Sequence, residues 1–222
     1  MHRPAARPRI AAALALVAAL ALPAPPAPAA GEPAGVFDYF VLSLSWSPTW
    51  CALTGDARRA GQCDPRRDLG FILHGLWPQY RTGWPSDCPT DERNPSRAET
   101  RAMADIMGSS GLAWHQWRKH GRCTGLSAPA YFDLSRRAFR AVTIPPALAR
   151  LDRDLRLPAT VVEEAFVEAN PGLDPTMITV TCEQGRIDEV RICLDRDLAF
   201  RPCGADIARD CRLADALMDR VR

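Results

Sequence analysis

The hydrophobic pattern along the chain changes period several times, and each change marks an element. Phe40, Leu42, Leu44 and Trp46 alternate with Val41, Ser43 and Ser45, which predicts a half-buried strand over Phe37–Trp46. Pro48 ends it, and Cys51 to Cys63 encloses a polar loop. Leu69-Gly70-Phe71-Ile72-Leu73 is a short apolar strand that delivers His74-Gly75-Leu76-Trp77-Pro78-Gln79-Tyr80. Pro78, Gly83 and Pro85 then punctuate a loop holding Trp77, Tyr80 and Trp84. Ser96–Met107 reads as a helix, opened by a capping box of Ser96 with Glu99 and ended by Gly108 and Gly111. Pro129–Val142 is an amphipathic helix with Phe132, Phe139 and Val142 inward. Thr160 and Glu163 form a second capping box, opening a helix to Ala169 that Asn170-Pro171-Gly172 stops. Met177–Cys182 and Ile187–Leu194 are paired strands around Gln184-Gly185. Strands and helices are mixed without strict alternation. The expected architecture is therefore α+β: a single domain with a central, mostly antiparallel sheet flanked by helices.

One segment does not fit a purely structural role. Trp114-His115-Gln116-Trp117-Arg118-Lys119-His120-Gly121-Arg122-Cys123 is too polar for a core helix and too aromatic for a surface one. On a helix with His115 at 0°, Lys119 falls at about 40°, Gln116 at about 100° and His120 at about 140°. Trp117 and Trp114 fall near 200° and 260° by the same count. One arc thus gathers two imidazoles, an ammonium and a carboxamide, and the other carries two indoles to anchor the helix. Gly121 permits a break, and Cys123 can staple the end.

Composition sharpens this picture. The chain has 4 His, one of them His2, which lies in a segment read as a removed leader. Lys119 is its one lysine, since Lys and Arg together number 28 and the rest are arginine. A compact ammonium kept beside two of the three remaining histidines suggests a site that needs a point charge rather than a planar fork. Residues 1–30 have the form of a secretory signal peptide. Arg3, Arg7 and Arg9 make a basic start, Ile10–Leu22 is uncharged and apolar, and Ala27-Pro28-Ala29 is a small-residue cleavage site. The apolar run is too short to span a bilayer, so the expectation is an exported protein, periplasmic or secreted, with no membrane attachment after cleavage. Losing the three arginines takes the formal charge from +2 to −1. Any affinity for a polyanion must then come from a local patch. All 8 cysteines lie beyond the leader, and an even count in an exported chain reads as four disulfides. Their gaps do not match usual zinc spacings.

His74 leaves a rigid strand into an open loop, a place well suited to chemistry. The loop aromatics Trp77, Tyr80 and Trp84 suit stacking on nucleobases. A carbohydrate-binding module would use the same aromatics and leaves the histidines unexplained. A metal-dependent hydrolase fits poorly. His115 and His120 are five apart, about 140° around a helix, whereas the usual zinc pair is four apart on one face.

His74-Gly75-Leu76-Trp77-Pro78 after an apolar strand, followed by His115-x-Trp117-x-Lys119-His120-Gly121-x-Cys123, resembles the ribonuclease T2 family. Both active-site segments of that family are present in order. The resemblance extends from the first strand to the Cys-bearing strands near the C-terminus. It implies an endoribonuclease for single-stranded RNA that needs neither metal nor cofactor and acts as a monomer. It further implies that His120 is the general base, that His74 is the general acid, that His115 binds phosphate, and that Lys119 stabilises the extra charge on the pentacovalent phosphorus. The implied disulfides are Cys51–Cys63, Cys88–Cys123, Cys182–Cys211 and Cys193–Cys203. The residue types agree, since in-line displacement needs an acid and a base on opposite sides of phosphorus and preplaced donors for the developing charge.

Two positions depart from the family. Gln116 stands where a Glu is common beside the first histidine of the second segment. It can donate to a phosphoryl oxygen, but it gives His120 no carboxylate support. That substitution would also suit a homologue that binds RNA without turning it over. Gln79 stands where an acidic or amide residue borders the base site, so base preference does not carry over.

Overall fold

The structure, a computed structural model, describes residues 32–222. The leader expected over residues 1–30 lies outside the described residues. The strands are β1 (Tyr39–Trp46), β2 (Phe71–Gln79), β3 (Leu155–Leu157), β4 (Ile178–Glu183), β5 (Arg186–Leu194) and β6 (Ala216–Met218). The helices are α1 (Ser47–Trp50), α2 (Arg97–Ala102), α3 (Ala104–Met107), α4 (Ser110–Lys119), α5 (Ala128–Ala141), α6 (Pro146–Ala149) and α7 (Ala159–Ala169). The strands form one sheet in the order β2-β1-β5-β6-β3, with β4 also paired to β5. Every pairing is antiparallel except the brief β5–β6 contact.

The alternation in β1 decides the layering. Phe40, Leu42, Leu44 and Trp46 enter one core with Trp117 of α4, Tyr131 and Phe132 of α5, and Val162 and Phe166 of α7. Val41 faces the other way, into a small cluster with Tyr39 and Cys193. On that second face Ser43 lies opposite Arg191 and Ser45 opposite Glu189. The sheet therefore has an apolar side under the helices and a polar side. The β4–β5 hairpin turns at Gln184 (φ 47) and Gly185 (φ 80), the two positive φ angles that a type I′ turn requires.

Several elements differ from their sequence-predicted form, each because of a tertiary contact. The strand expected to stop at Leu73 runs on to Gln79, so Trp77 is a strand residue paired with Val41, not a loop aromatic. Pro78 reads as punctuation, yet β2 is an end strand of the sheet, where proline is tolerated. The helix expected over Ser96–Met107 keeps its Ser96–Glu99 capping box but divides at Met103. There Arg136 takes the Ala102 carbonyl at 2.7 Å and Arg67 the Ala104 carbonyl at 3.1 Å. The second capping box does not form. Pro158 occupies the cap position of α7, Thr160 is already inside the helix, and no side chain caps it. The polar Cys51–Cys63 segment is not open loop. It coils into short helical turns held by its disulfide. The four disulfides Cys51–Cys63, Cys88–Cys123, Cys182–Cys211 and Cys193–Cys203 are those the family resemblance implies.

Candidate active site

The polar face of the sheet and the end of α4 enclose a cavity of about 320 Å³, lined by His74, Trp77, Gln79, Trp84, His115, Gln116, Lys119, His120, Arg191 and Ile207. His74 reaches it through an irregularity in β2. Ser43 pairs with Gly75 and Leu44 with Leu73, so His74 is the extra residue of a β-bulge, with no partner on β1. A bulge re-aims one side chain without interrupting the strand, and here it turns an imidazole toward the cavity. His74 also lines a second cavity of about 300 Å³, with Ser45, Trp50, Gln62, Ser109, Leu112, Asp188 and Glu189.

The other imidazoles come from α4. Ser109 caps this helix through Leu112 N at 3.1 Å, and Trp117 anchors it in the core. Trp114, expected to be a second anchor, is 38% exposed instead. The helix ends at Lys119, and His120 leaves helical geometry at φ −123. His120 is thus turned inward and buried, while His115 and Lys119 are exposed on the cavity side. Gly121 does not permit this break through any special backbone angle. It gives room, since a Cβ there would lie 2.7 Å from the Tyr131 ring.

Trp77 organises the centre. Its ring lies 5.3 Å edge-on from His74 and 5.3 Å from His120, tilted at 30°. Its Nε1 donates to Gln116 Oε1 at 2.7 Å. A side chain at Gly75 would collide with both the indole nitrogen and the amide oxygen, so glycine there makes the contact possible. Gln116 is buried, and its oxygen is engaged inside the protein. The group it offers to the cavity is its amide nitrogen, a donor.

Electrostatics separate the histidines. Burial first, then the positive charges of Lys119, His74 and His115, push the His120 imidazole down to about 3. Its Nδ1 is buried with no partner among the described residues, which explains why burial dominates. His115 is also lowered, by burial and then by Lys119 and His74. His74 has a carboxylate partner. Its Nδ1 meets the carboxylate of Glu189, whose other oxygen accepts from Arg191 Nε at 2.8 Å and Nη2 at 2.6 Å. Burial raises Glu189, but the His74 hydrogen bond, the His74 charge and Arg191 outweigh it and hold the carboxylate below its usual range. Glu189 and Arg191 were not singled out in the sequence. Their one signal there is a Glu and an Arg two apart in a strand that mixes charged and apolar residues, a pattern shared with many solvated strand faces.

Of the aromatic candidates, Trp77 and Trp84 line the cavity, and Trp84 is 51% exposed. Tyr80 is not among the lining residues and packs partly against the main core. Gln79 is buried. Its Nε2 donates to the Pro78 carbonyl at 2.9 Å, while its Oε1 has no partner among the described residues.

Fold and site together define a disulfide-stapled α+β protein whose cleft sets a strand-borne imidazole near two helix-borne ones and an ammonium. A sequence model of the ribonuclease T2 family matches residues 37–203, and the chain belongs to that family. A ribonuclease of Aeromonas hydrophila is 46% identical over 107 residues, which is 48% of this chain and 46% of that protein. Ribonuclease S-2 of Antirrhinum hispanicum is 28% identical over 187 residues, covering 72% of each. The chain spans about half the length of several curated relatives it matches. Among solved structures, an RNase-related protein from Calystegia sepium matches with TM-score 0.63 at 21% identity, covering 83% of this chain and 97% of that one. RNase NT in complex with 5′-AMP matches with TM-score 0.55 at 21% identity, covering 83% and 99%. At these identities the two structures speak for a shared fold.

Proposed function

We propose that this protein is an endoribonuclease that cleaves single-stranded RNA by transphosphorylation, without a metal in the chemical step. The observation that carries the reading is the meeting of His74 and His120 against the ring of Trp77 in one cavity, beside His115 and Lys119. His120, buried and neutral, takes the 2′-hydroxyl proton. O2′ bonds to phosphorus, and the P–O5′ bond breaks as His74 gives a proton to the leaving oxygen. A 2′,3′-cyclic phosphate and a 5′-hydroxyl result. The roles then reverse. Water loses a proton to His74 and attacks phosphorus, O2′ leaves with a proton from His120, and a 3′-phosphate remains. Lys119, His115 and the Gln116 amide nitrogen supply donors to the phosphoryl oxygens as charge develops.

The two cavities that share His74 suit the nucleosides on either side of the scissile phosphate. Trp84, half exposed at the first, is the stacking surface for a base. The reading extends to export. Residues 1–30 act as a cleaved signal peptide, and the four disulfides form in an oxidising compartment, the periplasm or the medium.

RNA digestion in the presence of a chelator, with identification of the product termini, tests the proposal. Cyclic and 3′-phosphate ends are expected from RNA, and matched DNA, lacking the nucleophile, stays intact. His74→Ala and His120→Ala should each lose at least ~10² in kcat in the protein that remains folded. A folded variant keeping more than about a tenth of the activity would overturn that residue's role.

A further inference from the structure

We infer that Glu189 is a positioning residue for the general acid: its buried carboxylate fixes the ring of His74 and supports the protonated form that gives a proton to the leaving oxygen. The inference rests on the proposed role of His74 and goes beyond it. Glu189 is 4% exposed and projects from β5 on the polar face of the sheet, opposite Ser45. Both carboxylate oxygens are committed, one to His74 Nδ1 and the other to Arg191. The backbone under it is tied by Glu189 N to Thr181 Oγ1 at 3.2 Å. A carboxylate only accepts, so Nδ1 of His74 carries hydrogen in either protonation state. Nε2 is then the nitrogen that gains and loses the catalytic proton, on the ring edge away from Glu189.

His74 needs such a partner because it is the bulge residue. The strand pairing that orients its neighbours does not orient it. Charge adds to geometry. On α4 and at its end, His115 and His120 act on His74 as like charges when protonated. On β5, Asp188 and Glu189 oppose them, and Arg191 neutralises part of Glu189. Glu189 makes direct contact with the ring, so it is the group whose removal leaves the imidazolium without a partner. Arg191 both clamps Glu189 and lies 5.5 Å over the Trp77 ring, linking the carboxylate to the indole between the two histidines.

Two substrates separate this role from a structural one. A dinucleoside phosphate has an alkoxide leaving group that needs a proton. A nucleoside 3′-(4-nitrophenyl phosphate) has a phenolate that leaves without one. Glu189→Gln keeps the shape and an acceptor for Nδ1–H but removes the charge. It should lower kcat on the dinucleotide by roughly tenfold or more, with KM little changed, and change the nitrophenyl ester by less than about threefold. Glu189→Asp should recover part of the loss. Equal slowing on both substrates, or no recovery in Glu189→Asp, would overturn the positioning role. Wild-type protein that cleaves neither substrate would overturn the underlying reading of the site instead. If Glu189→Ala does not fold, the isosteric Gln variant still decides.

Discussion

At the scale of single residues, Gln116 carries the most direct test of the electrostatics of this cleft. Its oxygen accepts from Trp77, and a glutamate would keep that bond, so Gln116→Glu changes charge with little change of shape. The native His120 is held at about 3 by burial and neighbouring positive charge. A base must be neutral to accept the 2′-hydroxyl proton. The low-pH limb of kcat/KM should therefore lie well below the usual histidine range, and a carboxylate at 116 should move it to higher pH. Because Lys119 and His115 still supply positive charge, kcat at the optimum should change by less than ~10-fold. A pH–rate profile of both proteins on a dinucleotide checks this. Superimposable profiles would mean that residue 116 does not sense the site electrostatically.

At the scale of elements, the site depends on the join between the segment after β2 and the end of α4. Asp87 N donates to the Lys119 carbonyl at 2.9 Å, and Cys88 is bonded to Cys123 just beyond. This bond sets the Trp84 segment against the helix that carries His115, Lys119 and His120. Replacing Cys88 and Cys123 by serine should cost about 2–4 kcal/mol of stability. It should also lower kcat/KM in the protein that remains folded by roughly tenfold, through misplacement. Replacing Cys182 and Cys211 is the matched control. The sequence separations are 35 and 29, so the chain-entropy contributions are close, yet that bond is not at the cavity. Equal activity losses in the two variants, at equal stability, would remove the special role of the Cys88–Cys123 join.

At the scale of the whole molecule, the buried titratable groups make stability depend on pH in a predictable direction. His120 takes up a proton near 3 in the folded chain and near 6.5 once unfolded. Between those values the unfolded state holds more protons, so stability rises with pH. The stability gained by keeping this imidazole neutral is present above its unfolded value and is lost as pH falls toward the folded one. Glu163 and Asp188 run the opposite way. Burial raises them to about 7 and about 6, with help from Asp210 and Glu189 respectively, so their contribution is lost as pH rises through those values. Comparing wild type with His120→Ala cancels the two acids, which both proteins share. From about pH 4 to about pH 7 the urea midpoint should move in a more favourable direction in wild type than in the variant, since each pH unit in the window is worth up to about 1.4 kcal/mol per proton. An equal pH dependence in the two proteins would mean that His120 is not held neutral by burial.

What the chain declares locally is what local physics dictates. Alternation in Phe40–Trp46, the Ser96–Glu99 capping box and the Gln184-Gly185 turn each act within a few residues, and each is present in the fold. The three histidines and Lys119 were legible as a site because their types and spacing carry chemistry that packing does not need. Strand β2 runs past Leu73 because pairing along β1 holds Pro78 extended, although proline is a breaker by propensity. Trp114 and Trp117 are alike to any helical count, and only the neighbouring elements decide which indole is buried. Glu189 is 115 residues from His74. No period or motif joins them, and the sheet register alone brings a buried carboxylate to the imidazole of the bulge. Residue types and local order were thus written in the sequence, while the partnering of charges across the sheet was decided by the tertiary fold, because only burial makes such a pairing strong.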